Sequence, residues 1–375
     1  MIRDAQLELW IGPAAPIKAS RQVIEAVQSV TVINSASGPD AFQITFELSN
    51  QSPLNTIFLL AGGAALPLMR TVVAVRVNGR RDILIDGVVT HQEVREARTP
   101  GKSMLTVTGE DLTRVMDYID FSFIPYPAMP DFARVTLILA KYAALGIVPD
   151  VIPSPLIDVP LPIRRIPSHD GKDLGYVRKL ADRAGYVFYI DTTDTVAVTR
   201  AYWGPKIRTG PDQSALSLDF RGRRNVESMS FSYDSEKATL PIVMIQNQET
   251  KAIIPIPIPD IMSILDPLAL IPAIPKNLTP ITETAKYSPV EAALVGIGMA
   301  TRLADAAQAK GKLDVRTYGQ VLKARRTVGV RGAGAAFNGR WYVEQTTTVM
   351  QPGSFTQDFV LSRDGLMAVG ERVVA

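Results

Sequence analysis

The sequence has 375 residues, 46% of them hydrophobic and 21% charged, which is typical of a folded protein with two or three domains. Its 40 lysines and arginines nearly balance its 37 aspartates and glutamates, so charge alone does not indicate a nucleic-acid or membrane-surface binding protein. The absence of cysteine excludes disulfides, thiolate metal sites and cysteine nucleophiles. We also expect no membrane insertion by this chain, because prolines repeatedly interrupt its most apolar segment, around residues 252–275.

The first third of the chain has the pattern of antiparallel strands. Alternation of apolar and polar residues predicts strands at 29–34, 41–48, 72–77, 83–89 and 103–108. Asn78 and Gly79 separate two of these strands. A type I′ turn requires two residues with positive φ, which Asn and Gly adopt at low cost, so this pair predicts a tight hairpin.

The middle of the chain changes character. It contains predicted helices at 132–145 and 172–184 and predicted strands at 186–190 and 195–199. Gly146 and Gly185 follow the helices and can supply their left-handed ends, while Asp170 is a candidate N-cap for the second helix. This region is therefore interpreted as a small α/β unit between β segments.

The last part returns to strands after a region rich in proline and isoleucine. Predicted strands lie at 215–220, 226–233, 327–331, 337–343 and 355–361. A helix is predicted to begin at the capping box Ser288–Glu291 and to end at Gly311. Asn338 and Gly339 predict a second tight hairpin.

The two β regions resemble each other in strand order and turn chemistry. We therefore predict a mainly β fold with an α/β insertion: two similar small β-barrel domains from an internal duplication, plus a small α/β domain. The alternative is that any two antiparallel meanders look alike. The expected parts are a first β-barrel at 1–118, the α/β domain at 119–205, a second β-barrel at 206–240 and 312–375, and a Pro/Ile-rich arm with a helix at 241–311.

The sequence offers little catalytic chemistry. His91 lies on a predicted strand and His169 precedes a predicted helix, where capping explains the polar residues around it. The acidic pairs Glu110-Asp111 and Asp191/Asp194 could be proposed as a glycosidase acid and base, but acids in turns are usually solvated. We predict no catalytic residue, no cofactor and no metal site.

The proline-spaced isoleucines are the unusual feature. Left on a monomer, they would form a large exposed apolar patch. They are interpreted either as a subunit-contact arm or as a loop that covers the protein's own core, and both alternatives satisfy burial. The candidate interface residues are Ile254, Ile256, Ile258, Ile261, Leu265 and Leu268.

Several segments together carry a resemblance to a known family. They are Phe42–Leu48, Gly87–Thr90, Leu105–Thr113, Asp173–Tyr186, Phe337–Val343 and Phe359–Leu366. Across about residues 25–366, the pattern resembles the late control protein D family, which comprises baseplate hubs of contractile phage tails. The hub half of the VgrG spike of type VI secretion and the hubs of extracellular contractile injection systems are related to that family.

The resemblance implies a homotrimer in which two similar domains per chain form a pseudo-sixfold ring that matches a six-subunit tail tube. Implied partners are a tail tube or tube-initiator protein and a spike, with tape measure and baseplate wedge proteins as further candidates. The spike is expected to be a separate protein, because nothing after residue 366 resembles an oligonucleotide-fold domain or a needle. The implied location is a virion tail baseplate or an extracellular injection particle, assembled in the bacterial cytoplasm.

Two functions of other classes stay open from the sequence. One is a tail-associated cell-wall hydrolase of the glycosidase type, and the other is a carbohydrate-binding β module. A surface row of aromatic residues would favour the second, but aromatic residues make up only 7% of the sequence.

Overall fold

The computed structural model describes residues 5–48, 54, 68–96, 103–154, 157, 159–160, 162–163, 166–219, 222–246, 253–259, 267–281, 289–302 and 305–369. Within these ranges the structure is mainly β with a small α/β unit, as the sequence predicts. The helices found there are too short or too polar to cross a bilayer.

The first β region contains all five strands predicted for it. Its elements are β1 (Gln6–Gly12), β2 (Ile17–Lys18), α1 (Arg21–Glu25), β3 (Val27–Ser35), β4 (Ala41–Leu48), β5 (Arg70–Val77), β6 (Arg80–Glu96) and β7 (Ser103–Asp111), followed by a 3-10 helix at Leu112–Asp117. Asn78 (φ 51°) and Gly79 (φ 81°) connect β5 to β6. Both residues have the positive φ of a type I′ turn, so the predicted hairpin is confirmed.

The α/β unit follows. Its elements are α2 (Asp131–Ala140), a 3-10 helix (Ala143–Leu145), β8 (Ile147–Val151), α3 (Asp173–Ala184), β9 (Val187–Thr192) and β10 (Thr199–Gly204). In its three-stranded sheet, β10 lies between β8, to which it is parallel, and β9, to which it is antiparallel.

The predicted end of the second helix is confirmed, but the predicted end of the first helix and the predicted N-cap of the second are wrong. Gly185 (φ 70°) is the left-handed cap of α3. In contrast, α2 already ends at Ala140, and Gly146 (φ 74°) caps the short 3-10 helix Ala143–Leu145. The N-cap of α3 is Lys172, which makes no side-chain cap hydrogen bond. Asp170 instead accepts a hydrogen bond from Lys179 Nζ at 2.6 Å, because a lysine two turns into the helix reaches back to it.

The remaining elements form the second β region and the arm. They are β11 (Gln213–Ser217), β12 (Ser228–Tyr233), β13 (Thr239–Gln246), β14 (Ile253–Pro257), β15 (Ala269–Pro272), β16 (Asn277–Ile281), α4 (Pro289–Arg302), β17 (Ala307–Asp314), α5 (Val315–Tyr318), β18 (Thr327–Arg331), β19 (Gly339–Gln351), β20 (Ser354–Arg363) and β21 (Gly365–Ala368).

Two predictions for this region are wrong. Gly311 does not end a helix: α4 ends at Arg302, and Gly311 lies inside β17. The β18–β19 hairpin exists, but Asn338-Gly339 is not a two-residue turn, because the loop begins after Arg331. Gly332 (φ 81°) supplies a left-handed conformation in that loop instead. Ser288, the expected cap of α4, lies outside the described residues.

Strands from both β regions belong to one 13-stranded sheet. Its path runs in the order β12-β17-β20-β19-β3-β4-β7-β6-β5-β1-β2, with β11 paired to β18 and β18 to β19. The pairing of β3 with β19 joins the two regions. The described residues form no closed barrel, so the expectation of two barrels is corrected to one continuous open sheet. The internal duplication stays a prediction.

The apolar core follows this arrangement. A single cluster of buried side chains extends from the first β region, including Val32 and Phe46, to the second, including Trp341 and Phe359. The α/β unit has its own cluster, in which Val177 of α3 packs with Trp203 of β10. The two β regions therefore share a core as well as a sheet.

Candidate assembly surfaces

The arm is ordered by a small sheet of its own. β13 is its central strand, antiparallel to β14 and parallel to β16. Ile258 N–H donates to Pro241 O at 2.9 Å, which places the even-numbered residues of β14 in hydrogen-bonding positions toward β13. Pro255 and Pro257 then remove donors only from the outer edge. Proline usually blocks sheet pairing because it lacks an N–H donor, and the edge position of β14 explains why it does not do so here.

The six candidate interface residues do not share one environment. Ile254 and Ile256 are 45% and 37% exposed, respectively. Ile258 is half-buried against α4 at Gly296, where an added Cβ would lie 2.7 Å from Ile258 Cγ1. Leu268 is only 1% exposed. Ile261 and Leu265 lie outside the described residues.

Leu268 belongs to the core of its own chain. It packs with Ala36 and Tyr342, and its N–H donates to Asp364 Oδ2 at 3.2 Å. The neighbouring strand β15 pairs with β21 near the end of the chain. At this end, the arm therefore covers the protein's own core, as in the second of the two interpretations above.

The other end of the arm rests on the α/β unit through α4. An added Cβ at Gly298 would lie 2.6 Å from Gly185 N, so the α4 backbone touches the left-handed cap of α3. Val243 of β13 is fully buried and lies against α4 at Gly296. Contact this close requires glycine both within α4 and at the cap of α3. The contact fixes the arm sheet to the α/β unit.

Several exposed apolar side chains are not among the six candidate interface residues. In the arm they are Leu270, Ile271, Ile274 and Leu278, and in the α/β unit they include Phe123, Val148 and Ile163. Phe123 is 87% exposed and has a φ of 73°, which is unusual for a bulky residue. Strand and helix patterns cannot identify such residues, because they lie in irregular segments or on edges whose exposure depends on the tertiary fold.

The two histidines have different surroundings. His91 is exposed on β6. His169 is buried, with Nδ1 2.9 Å from Tyr126 Oη and Nε2 3.3 Å from Asp173 Oδ1. Burial lowers the pKa of His169 from its usual value, although Asp173 acts in the opposite direction. Asp173 also accepts a hydrogen bond from Tyr142 Oη at 2.6 Å, so its carboxylate connects α3 to the residues that follow α2.

Two of the four acidic residues considered for hydrolysis make structural contacts. Asp111 is buried and caps the following 3-10 helix through Thr113 N–H at 2.9 Å. Asp191 lies 3.4 Å from Arg200 in an ion pair. Among the described residues, no cluster of three or more His, Asp or Glu side chains could hold a metal ion.

A buried cluster of charged side chains lies near the end of β20. Asp305 is 3.1 Å from Lys206 Nζ, 3.0 Å from Arg208 Nη2 and 3.0 Å from Ser362 Oγ. Burial alone would raise the pKa of Asp305, but the two cations and the hydroxyl outweigh it and lower the pKa to about 2. The cluster holds the residues after β10 against the second β region.

Neither a family model nor any curated protein matches this sequence. Solved structures do match. The tail protein from Neisseria meningitidis MC58 superposes with a TM-score of 0.63 at 11% identity, and the alignment covers 97% of this chain and 98% of that one. This chain has the fold of a tail protein.

Two other structures with the tail-protein fold are similar. The 43 kDa tail protein of prophage MuSo2 from Shewanella oneidensis gives a TM-score of 0.60 at 12% identity, covering 97% of this chain and 100% of that chain. A component of the type VI secretion system of E. coli gives 0.52 at 12% identity, covering 92% and 74%, respectively.

Proposed function

We propose that this protein is a structural baseplate hub of a contractile tail or injection machine. In this role it forms a trimer that converts the sixfold symmetry of the tail tube to the threefold symmetry of the spike. The shared fold with tail proteins, over nearly the whole length of each chain, supports this role.

The observation that carries the proposal is the joining of two β regions in one sheet through β3 and β19. Each chain thereby holds two sets of mainly antiparallel strands in a fixed relative position. Three copies would present six such sets around one axis, which suits a six-subunit tube ring. The function then follows from shape and symmetry, without a catalytic residue.

The proposed partners are those that the resemblance to baseplate hubs implies. A tail tube or tube-initiator protein would dock on the ring, and a separate spike protein would bind its other end. Tape measure and baseplate wedge proteins are further candidates. The protein would act in a virion tail baseplate or an extracellular injection particle, after assembly in the bacterial cytoplasm.

Mass measurement tests the proposal. The protein is co-purified with its spike partner, and the complex is measured by native mass spectrometry and by light scattering. We expect three copies of this chain per complex. A stable complex with a single copy of this chain would overturn the hub role. A peptidoglycan release assay on the same sample addresses the cell-wall hydrolase alternative, and substantial release would count against a purely structural function.

A further inference from the structure

The pairing order of strands is the same on the two sides of the β3–β19 contact. One side reads β1-β5-β6-β7-β4-β3, and the other reads β11-β18-β19-β20-β17-β12. Only the first pair differs in direction, since β1 is antiparallel to β5 whereas β11 is parallel to β18. β6 and β19 are therefore in corresponding positions, as are β3 and β12.

An irregularity marks the same point in both long strands. The register of β6 against β7 shifts between Val89 and His91, and that of β19 against β20 shifts between Val343 and Gln345. Such β-bulges bend a strand and allow its far half to pair with a different neighbour. In β19 this happens: residues 345–350 leave β18 and pair with β3.

Two other strand edges correspond to the edges that meet in the β3–β19 pairing: the far half of β6 corresponds to that of β19, and β12 corresponds to β3. Neither of these two edges has a partner strand in the described part of the chain. Among the residues that the structure describes, β6 pairs only with β7 beyond its bulge, because its pairing with β5 ends at Val88. Likewise, within the described ranges β12 pairs only with β17 and is the outermost strand of the sheet. Unpaired strand edges promote association with other strands, and β12 carries neither proline nor charge to prevent it.

We propose that β12 of one copy pairs antiparallel with residues 91–96 of β6 in the next copy. This contact would repeat between chains the β3–β19 pairing found within one chain. The proposal rests on the proposed hub function and specifies how its subunits join. The two edges differ, so the contact is head-to-tail and generates a ring when the rotation closes.

The bulges determine the register on the β6 side. Thr348 lies four positions after Glu344, the residue skipped at the bulge of β19, and Val94 lies four positions after Thr90, the residue skipped in β6. Thr348 is opposite Val32 in the β3–β19 pairing. Val94 should therefore face the residue of β12 that corresponds to Val32.

The residue of β12 that corresponds to Val32 is found by following, from strand to strand, the residues that lie directly opposite each other. One line runs across the first region through Val32, Phe42, Gly109 and Val89, and the other crosses the second region through Phe231, Ala309, Leu361 and Val343. Both lines end at the residue just before a bulge, so Phe231 corresponds to Val32. The register between copies thus places Phe231 opposite Val94 and Ser230 opposite Arg95.

Hydrogen-bonding positions agree with this register. Asp234 N–H donates to Ala306 O at 3.0 Å, so the even-numbered residues of β12 bond to β17 and Phe231 presents its main-chain groups outward. Ala36 N–H donates to Glu344 O at 2.8 Å, so the even-numbered residues of β3, including Val32, bond to β19. The two corresponding residues therefore have the same orientation.

Burial also favours the contact. Val94 is opposite Leu105 of β7, which is fully buried in the main core, yet Val94 itself is 46% exposed. In the β3–β19 pairing, by contrast, Val32 and Thr348 are both essentially buried. A strand from a second copy would cover Val94 on the core-facing side of the sheet and extend that core from one chain to the next.

A disulfide between copies tests the register. One chain carries Ser230→Cys and a differently tagged chain carries Arg95→Cys, and the two are co-expressed, assembled and oxidised. Ser230 and Arg95 would form a non-hydrogen-bonded pair, with Cα atoms about 4.5 Å apart, which suits a disulfide. Both residues are exposed, so folding should be preserved, and the natural sequence contributes no cysteine.

We expect a disulfide-linked heterodimer from the mixture and none from either chain alone. The matched control replaces Ser230→Cys with Ser232→Cys, which lies diagonal to Arg95 at about 7–8 Å and should cross-link far less. Equal cross-linking by the control, or none by the test pair, would overturn this pairing. If the complex still contains three copies in that case, the hub function stands and only this contact is wrong; a single copy would reject both.

Discussion

Arg325 and Asp40, 285 residues apart in sequence, form a buried ion pair with Nη2 2.5 Å from Oδ1. The same guanidinium donates to Ser35 O at 2.8 Å and to Ile190 O at 3.4 Å. Arg325 belongs to the second β region, Asp40 to the first and Ile190 to the α/β unit. One side chain therefore holds all three parts of the molecule together.

Replacing Arg325 should destabilise the whole protein. Arg325→Leu leaves the Asp40 carboxylate buried without its cation, so we expect a loss of about 3–5 kcal/mol in the free energy of unfolding. Denaturant unfolding followed by circular dichroism measures it. Arg21→Ala is the control, because Arg21 forms an exposed pair with Glu25 and its loss should leave the free energy of unfolding nearly unchanged. Similar losses for both variants would contradict the proposed role of Arg325.

The pKa of Asp305 predicts a pH dependence of stability. Since its pKa is lowered to about 2 in the folded state, ionised Asp305 stabilises the fold above about pH 4, and this contribution is lost as the pH falls toward 2. A shift of about two units corresponds to about 2–3 kcal/mol. Asp305→Asn should therefore be less stable than the natural protein at pH 7, with a difference that narrows below pH 4.

Unfolding experiments across that pH range check the prediction. Asp170→Asn serves as the control, because the Asp170 side chain is 69% exposed in its pair with Lys179. The control should stay within about 1 kcal/mol of the natural protein throughout. A stability difference for Asp305→Asn that does not change with pH would show that ionisation of this carboxyl is not the cause.

The Asn78-Gly79 turn provides a test of local backbone conformation. Gly79 has a φ of 81° and open space around it, so Gly79→Ala introduces backbone strain without a clash and should cost about 1 kcal/mol. Gly175 also has open space but lies inside α3, where Gly175→Ala should stabilise by about 0.5–1 kcal/mol. Opposite signs in thermal unfolding are expected, and equal signs would refute this explanation.

The two Asn-Gly pairs of the chain show what a sequence can predict. The Asn78-Gly79 hairpin could be predicted because its cause, two positive φ angles, lies within the two residues themselves. Asn338-Gly339 consists of the same two residue types but has a different role. Asn338 Oδ1 accepts a hydrogen bond from Ala333 N–H at 2.8 Å across the loop. Whether an Asn-Gly pair forms a tight two-residue turn or belongs to a longer loop depends on where the flanking strands stop pairing. The surrounding sheet determines that position.

Tertiary contacts explain the other errors. Gly311 resembled a helix end, but a Cβ there would lie 2.5 Å from the Phe359 ring, so glycine is needed for packing between strands. The β3–β19 pairing could not be predicted either, because no local pattern specifies a partner so distant in the chain. The fold class and the α/β unit were predicted because periodicity, which is local, determines them.

The arm can be tested by separating its two environments. Ile254→Ser together with Ile256→Ser changes exposed side chains, so it should leave stability nearly unchanged and weaken assembly if the arm contacts another subunit. Leu268→Ala removes a buried side chain and should cost about 2–5 kcal/mol of folding stability. Unfolding curves and the fraction of trimer at equal protein concentration distinguish them. Unchanged assembly of the double variant would assign the arm to its own chain alone.

The β3–β19 contact also constrains how the protein can be made. β3 leaves the ribosome long before its partner at residues 345–350, because more than 300 residues separate the two segments. At about 5–20 residues per second, β3 waits roughly 15–60 s for that partner. During this interval its edge is open to other nascent chains, so a ribosome that stalls before β19 would release a product prone to aggregation.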